Sequence, residues 1–166
     1  MGSGSVAAYA NGQRRASWRQ QETGRQAGER SASGALYAAL DLGTNNCRLL
    51  VAQPAKTGFQ VVDAFSRIVR LGEGVSQSGT LSLDAMARTI SALRVCSNQL
   101  TWWRVPRVRL IATQACRTAA NGAEFIARVR EEVGLELEVI DRETEARLAV
   151  AGASPLIAPD ARNVLV

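Results

Sequence analysis

Hydrophobic and polar positions first show a regular pattern near Leu36. The segments Leu36–Asp41, Cys47–Ala52 and Phe59–Val69 are short and apolar or alternating, and turn-forming residues such as Gly, Asn and Pro separate them. This pattern predicts three β-strands joined by short connections. The glycine-rich stretch Leu71–Thr80 that follows predicts a loop.

A helical pattern begins directly after this loop. Apolar residues recur at helical spacing along one predicted face: Leu83, Met86, Ile90, Leu93 and Leu100. Ser82 is a suitable N-cap, and Asp84 lies in the first turn, where the helix dipole favours a negative charge. The sequence therefore predicts an amphipathic helix from about Leu83 to Leu100.

The second half of the chain alternates strand-like and helix-like segments. Val108–Ala112 and Leu135–Ile140 predict a fourth and a fifth strand, and Asn163–Val166 resembles the start of another. Asn121, with Glu124 three residues later, resembles a capping box, and we expect its helix to end at Gly134. Asp141 is expected to cap a last helix.

The order of these elements predicts the fold class. Three strands with short connections form an antiparallel meander, whereas strands reached through helical crossovers run parallel. We therefore predict an α/β domain with a five-stranded mixed sheet and helices on both faces. This is the ribonuclease-H-like, actin-like ATPase topology found in actin, sugar kinases and heat-shock chaperones.

Composition divides the chain into three predicted parts. Residues 1–34 are rich in Arg, Gly and Ser without an aliphatic pattern and predict a disordered tail, whereas residues 35–160 contain the predicted domain. Residues 161–166 would be the first strand of a second, truncated domain. Of the net charge of +5, the tail contributes +3, so the remaining residues are nearly neutral.

The residue types exclude several kinds of chemistry. The chain of 166 residues has no histidine, which excludes Ser-His-Asp and Cys-His catalysis and most transition-metal sites. Its three cysteines include no CxxC pair, so we expect reduced, mostly buried thiols. Any catalysis must use carboxylates, arginines, backbone amides and a hard cation.

Localisation and large partners are predicted from what the sequence lacks. No apolar run is long enough to span a membrane and no signal-peptide pattern occurs, so we expect no membrane association and a cytoplasmic protein. Trp102 and Trp103 lie among arginines, as in surfaces that stack nucleic-acid bases. We expect them instead to finish the long helix and cover the sheet edge, and we do not expect nucleic-acid binding.

The turn after the first strand contains the first candidate site. Asp41 ends an apolar run, where a carboxylate can hold a metal ion or a metal-bound water. Gly43 permits a tight turn, and Thr44, Asn45 and Asn46 add side-chain donors to backbone amides that can face an anion. From the loop alone, an ordinary β-hairpin with a polar turn and a phosphate-and-metal loop are equally compatible with the sequence.

Two later segments favour the phosphate site. Arg117 follows the fourth predicted strand, and Glu145 falls in the first turn of the helix after the fifth strand. Ligands of such sheets bind outside the carboxyl ends of the strands. We therefore expect Asp41, Arg117 and Glu145 to converge at one edge of the sheet.

Together these segments resemble the exopolyphosphatase and guanosine pentaphosphate phosphohydrolase family. That family shows DLGSNS-like, ATxxxR-like and ExEAR-like segments, which correspond here to DLGTNN (41–46), ATQACR (112–117) and ETEAR (143–147). The resemblance implies that Glu145 is the catalytic base and that Arg117 holds phosphates. The family's second, DxGGGS-like phosphate loop would follow a strand such as Asn163–Val166.

The resemblance implies a phosphoanhydride hydrolase that releases terminal phosphate from inorganic polyphosphate or guanosine pentaphosphate. In that chemistry Glu145 activates water, Arg117 and the amides of Gly43–Asn46 bind phosphoryl oxygens, and Asp41 holds magnesium as the cofactor. The alternative is a module of the same fold that senses such ligands without cleaving them. This chain by itself is expected to be inactive, and a homodimer is left open for the full-length protein.

Overall fold

The computed structural model describes residues 35–156 of the chain. The predicted tail at 1–34 and the predicted strand at 161–166 lie outside these residues. The part described forms a central sheet with two long helices on one face. None of its helices is both long and apolar enough to cross a membrane.

The sheet has five strands in the order β3-β2-β1-β4-β5. The antiparallel pairs are β1–β2 and β2–β3, and the parallel pairs are β1–β4 and β4–β5. The strands are β1 (Tyr37–Leu42), β2 (Asn46–Pro54), β3 (Phe59–Ile68), β4 (Arg107–Ala112) and β5 (Glu138–Val139). This arrangement confirms the predicted meander followed by crossovers, although β5 is shorter than predicted.

The helices are α1 (Val75–Ser78), α2 (Leu83–Trp103), α3 (Gln114–Thr118), α4 (Gly122–Val133) and α5 (Arg142–Ala153), followed by a 3-10 turn at Ser154–Leu156. The predicted loop Leu71–Thr80 therefore contains one helical turn. Its two bounding glycines, Gly74 and Gly79, both have left-handed φ angles, of 78° and 71°. Each end of this turn thus uses a conformation that favours glycine.

Alternation of side chains determines which face of the sheet is buried. Leu40 and Leu42 of β1 and Leu49 and Val51 of β2 point to one face and are at most 3% exposed. On this face they join Ile90 and Leu93 of α2 and Phe125 and Val129 of α4 in one apolar cluster. Burial of this cluster is the main driving force that holds both helices on the sheet.

Helix α2 follows the predicted amphipathic pattern except at its ends. Ser82 caps it as predicted, since its side-chain oxygen accepts a hydrogen bond from the Ala85 amide at 3.2 Å. Leu83, however, is 74% exposed, whereas Met86 three residues later is 5% exposed, so Leu83 does not belong to the buried face.

The two tryptophans end α2 but only one covers the sheet edge. The indole of Trp103 donates a hydrogen bond to Asp63 of the edge strand β3, with Nε1 at 2.8 Å from Oδ2. Trp102 is 80% exposed. The prediction that both tryptophans cover the edge is therefore correct for Trp103 and wrong for Trp102.

Asn121 does not form the predicted capping box. Its backbone is not extended, and its side chain makes no bond to the first turn of α4. Its amide instead pairs with both backbone groups of Leu81, accepting from N at 2.8 Å and donating to O at 3.0 Å. Asn121 therefore joins α4 to the segment that leads into α2.

Candidate functional site

The carboxyl ends of β1, β4 and β5 lie at one edge of the sheet because these strands are parallel. The ladder continues one residue past each pair of ends: Thr113 N donates to Leu42 O, and Ile140 N donates to Ala112 O, each at 3.1 Å. The three motifs that follow these strands therefore begin side by side. This confirms the convergence that the sequence predicts, while the roles of the individual residues remain predictions.

The first motif forms a two-residue hairpin turn at Thr44 and Asn45. Gly43 N donates to Asn46 O at 2.9 Å, which closes the turn. Within residues 35–156, no acceptor contacts the amides of Thr44, Asn45 and Asn46. The loop thus offers three backbone donors to an anion rather than the four expected from Gly43–Asn46.

Gly43 itself is not required by the turn. Its φ is not left-handed, and a Cβ at this position would lie 3.7 Å from Asn46 O, an ordinary contact. Gly43 permits the tight turn, as predicted, but a residue with a Cβ would also fit at this position. A role of Gly43 in anion binding would depend instead on its lack of a side chain, which lets a ligand approach the backbone closely.

Arg117 in α3 links the second motif to the third. Its guanidinium donates from Nη1 to the carbonyl oxygen of Ile140 at 2.5 Å and from Nη2 to Glu145 Oε2 at 3.3 Å. The Arg117 side chain is 22% exposed and that of Glu145 is 42% exposed. The two residues predicted to hold phosphate and to activate water are therefore in direct contact.

The start of α5 fixes the position of Glu145. Asp141 caps the helix as predicted, with Oδ1 accepting from Thr144 N at 2.7 Å, and Glu145 N donates to Asp141 O at 3.0 Å. The hydrogen bonds from Thr144 lower the pKa of the Asp141 carboxyl, so the cap is ionised at neutral pH. Glu145 is thus held on the first turn of a capped helix.

Asp41 lies on the sheet face opposite the large core. Its side chain is exposed, yet the surrounding protein removes enough of its hydration to raise its pKa, the largest effect on this group. The guanidinium of Arg48 opposes this shift, and the negative charge of Glu145 adds to it. Asp41 and Glu145 therefore share one electrostatic environment.

Magnesium fits this environment as a weakly chelated ion. Among residues 35–156, no three His, Cys, Asp or Glu side chains cluster as a metal site. Magnesium, however, commonly uses one or two carboxylates and takes its other ligands from water and substrate phosphates. The raised pKa of Asp41 means that its ionised form is disfavoured, and a cation beside the carboxylate would stabilise that form.

An apolar groove of about 490 Å³ runs along the sheet from Asp41. Leu50 of β2, Ile111 of β4 and Leu148 of α5 line it, with Arg48 beside Asp41 at one end. Because Leu148 borders the groove, α5 lies on the sheet face opposite α2 and α4. This places helices on both faces, as predicted, although α5 has no buried residue.

The cysteines near the site are packing residues. Cys47 and Cys116 are both buried, and burial raises the pKa of Cys116 to about 12. A thiol with such a pKa is not a nucleophile at neutral pH. Cys47 Sγ lies 3.9 Å from Cys96 Sγ in the core, and its pKa is raised as well.

Sequence reasoning missed two features of the site. Arg48 lies directly opposite Asp41 in the β1–β2 pair. A two-residue turn at Thr44 and Asn45 already implies this register, so the hairpin pattern could have identified it. The second is the segment Val69–Gly72, which contacts the turn through the backbone and leaves no side-chain pattern in the sequence.

Comparison with known proteins shows that the chain is similar to phosphatases. The model of the Ppx/GppA phosphatase family matches residues 50–166. A structure of the Aquifex aeolicus PPX-GPPA enzyme is 35% identical, with a TM-score of 0.70, over 76% of this chain and 42% of that one. An exopolyphosphatase from Cytophaga hutchinsonii is 29% identical, with a TM-score of 0.64, over 68% of this chain and 36% of that one.

The chain spans less than half the length of these relatives. The residues that match the family model include Arg117 and Glu145. The solved structures that match this chain have the same actin-like ATPase fold. The match covers well over half of the sequence, and the chain belongs to the Ppx/GppA phosphatase family.

Proposed function

We propose that this chain forms one wall of the cleft of a phosphoanhydride hydrolase that releases terminal phosphate from inorganic polyphosphate or guanosine pentaphosphate. The observation that carries the proposal is the contact of Arg117 with Glu145 beside the turn at Thr44–Asn46. It brings a planar anion-binding group and a carboxylate to the strand ends where three backbone amides are free. These are the groups that phosphoryl transfer needs in one place.

The turn and Arg117 are proposed to bind the phosphates. The amides of Thr44, Asn45 and Asn46 can donate to phosphoryl oxygens, as backbone turns do in other anion sites. The guanidinium of Arg117 can bind a phosphate through two parallel hydrogen bonds. An entering phosphate would compete with Glu145 for the Nη2 donor of Arg117, and this exchange would release the carboxylate.

The released carboxylate of Glu145 is proposed to act as general base. It accepts a proton from a water molecule, whose oxygen attacks the terminal phosphorus while the bridging P–O bond breaks. The products are inorganic phosphate and a chain or nucleotide shorter by one phosphate. A positioned base of this kind contributes about 10²–10⁴-fold to a rate.

Asp41 is proposed to hold magnesium, directly or through water. When bound, magnesium would neutralise charge on the phosphates that the amides and Arg117 hold. Arg48, opposite Asp41 in the sheet, limits how much negative charge this end of the site presents to the phosphates. The remaining phosphate contacts are proposed to come from protein that corresponds to the rest of the relatives' length.

Binding is tested by NMR titration of this chain with tripolyphosphate, with and without magnesium. We expect the amide resonances of Thr44, Asn45 and Asn46 to shift. Arg117→Ala should weaken binding by about tenfold or more, because bonds to charged groups are the strong ones. Arg117→Lys should restore only part of the loss, and Arg130→Ala, which changes an exposed arginine of α4, is the matched control. Shifts confined to other residues would contradict the proposed site.

Turnover is tested separately from binding. This chain by itself is expected to bind tripolyphosphate without hydrolysing it, because a phosphate held from one side leaves the water and leaving group unaligned. In a chain extended to the length of the relatives, phosphate release that Glu145→Gln abolishes supports the hydrolase. Binding without release in that longer chain supports the sensing module instead. Parallel assays with polyphosphate and guanosine pentaphosphate identify the substrate.

A further inference from the structure

The turn at Thr44–Asn46 is held from behind by the segment 69–72. Val69 N and Arg70 N both donate to Asn45 O, at 2.8 and 3.0 Å, and Gly72 N donates to Thr44 O at 3.0 Å. These three bonds occupy the carbonyl oxygens of the turn. A peptide unit whose oxygen is fixed on one side presents the N–H of the next residue on the other, so the segment determines where the amides of Asn45 and Asn46 point.

Gly72 lies against the side chain of Thr44, where a Cβ would collide with the Thr44 methyl group. A Cβ built on Gly72 would lie 2.3 Å from Thr44 Cγ2, far inside van der Waals contact. It would also lie 3.7 Å from the Cβ of Ala115 in α3. Gly72 therefore lies between the first and second motifs. Because it has no side chain, the Thr44 methyl group can lie against its backbone.

The segment itself is fixed from the helix α2. Arg88 Nε donates to Val69 O at 3.1 Å, and Arg88 Nη2 lies 2.8 Å from Glu73 Oε2. Arg70 between these contacts has a φ of 49°, a left-handed conformation that residues with a Cβ adopt at a cost. Surrounding contacts thus hold a strained backbone directly behind the proposed anion site.

We propose that Gly72 is a positioning residue of this anion site, which acts by setting the orientation of the Thr44 side chain and of the amides of Asn45 and Asn46. The proposal rests on the proposed function, since the anion is the phosphate chain. Gly72 touches no substrate. Any side chain at this position pushes the Thr44 methyl group away and turns the amides out of alignment.

The test is a double-mutant cycle read by NMR titration of this chain with tripolyphosphate. Gly72→Ala should weaken binding by about tenfold or more, the effect of losing one bond to a charged group. Thr44→Ser removes the methyl group that the new Cβ would meet but keeps the hydroxyl. The double variant Thr44→Ser/Gly72→Ala should therefore recover most of the affinity. Gly152→Ala, in open space on α5, is the control and should bind as the original chain does.

Two outcomes would overturn the proposal: unchanged binding by Gly72→Ala, or a folded double variant as weak as Gly72→Ala alone. If Gly72→Ala does not fold, the double variant still decides, because relief of the clash predicts that it folds and binds. The geometry is also measured without ligand from the amide shifts of residues 44–46 and the side-chain rotamer of Thr44. If the original chain fails to bind tripolyphosphate, the proposed function fails, and these ligand-free measurements still test the role of Gly72.

Discussion

Replacing Glu145 with glutamine tests the contact at the centre of the site. Glu145 Oε2 accepts a hydrogen bond from Arg117 Nη2 at 3.3 Å. The substitution keeps the size of the side chain and removes its charge. Two effects then favour an incoming phosphate: Arg117 no longer has an anionic partner, and the carboxylate no longer repels the phosphate.

The distance and the exposure give the magnitude. Two unit charges 3.3 Å apart interact by about 1 kcal/mol in water and about 5 kcal/mol at an effective dielectric constant of 20. Because the Glu145 side chain is 42% exposed, the lower figure applies. About 1 kcal/mol corresponds to a roughly fivefold lower Kd for tripolyphosphate. The free energy of unfolding should fall by no more than about 1 kcal/mol.

Isothermal titration calorimetry with tripolyphosphate measures this change directly. The gain in affinity for tripolyphosphate should become smaller as salt is added, because salt screens charges that are partly exposed. Glu143→Gln is the matched control, because it removes a charge from the same turn of α5 at an exposed residue without an ion pair among residues 35–156. Equal or weaker binding by Glu145→Gln, or an equal gain in Glu143→Gln, would refute the reasoning.

Two further substitutions test other parts of the structure. Folding raises the pKa of Asp41, so the folded state holds this proton more tightly than the unfolded chain, and the ionised carboxylate costs stability at neutral pH. Asp41→Asn should therefore raise the free energy of unfolding measured in urea at about pH 7. This increase in stability should become smaller as the pH is lowered toward about pH 4, where the carboxyl group of the original chain becomes protonated. A loss of stability at neutral pH would contradict this. Asn121→Ala should lower that free energy by about 1–3 kcal/mol with an unchanged m value, because both backbone groups of Leu81 lose their partner. A change within about 0.5 kcal/mol would show that water replaces the amide.

The sequence by itself determined the sheet and the edge at which the motifs meet. Alternation in β1 and β2 identifies Leu40, Leu42 and Leu49 as core residues, because side chains of a strand point alternately to its two faces. Short and long connections determine which strands run antiparallel and which parallel. The carboxyl ends of β1, β4 and β5 then lie together, so the convergence of Arg117 and Glu145 could be predicted.

Only the tertiary structure decided the contacts between segments far apart in the chain. Asn121 has the sequence of a helix cap, but its amide pairs with Leu81, forty residues earlier. The segment 69–72 holds the turn at 44–46 through backbone atoms, which every residue possesses and which leave no pattern in the sequence. Local propensity describes a residue with its neighbours, whereas these contacts depend on how α2, α3 and the hairpin pack together.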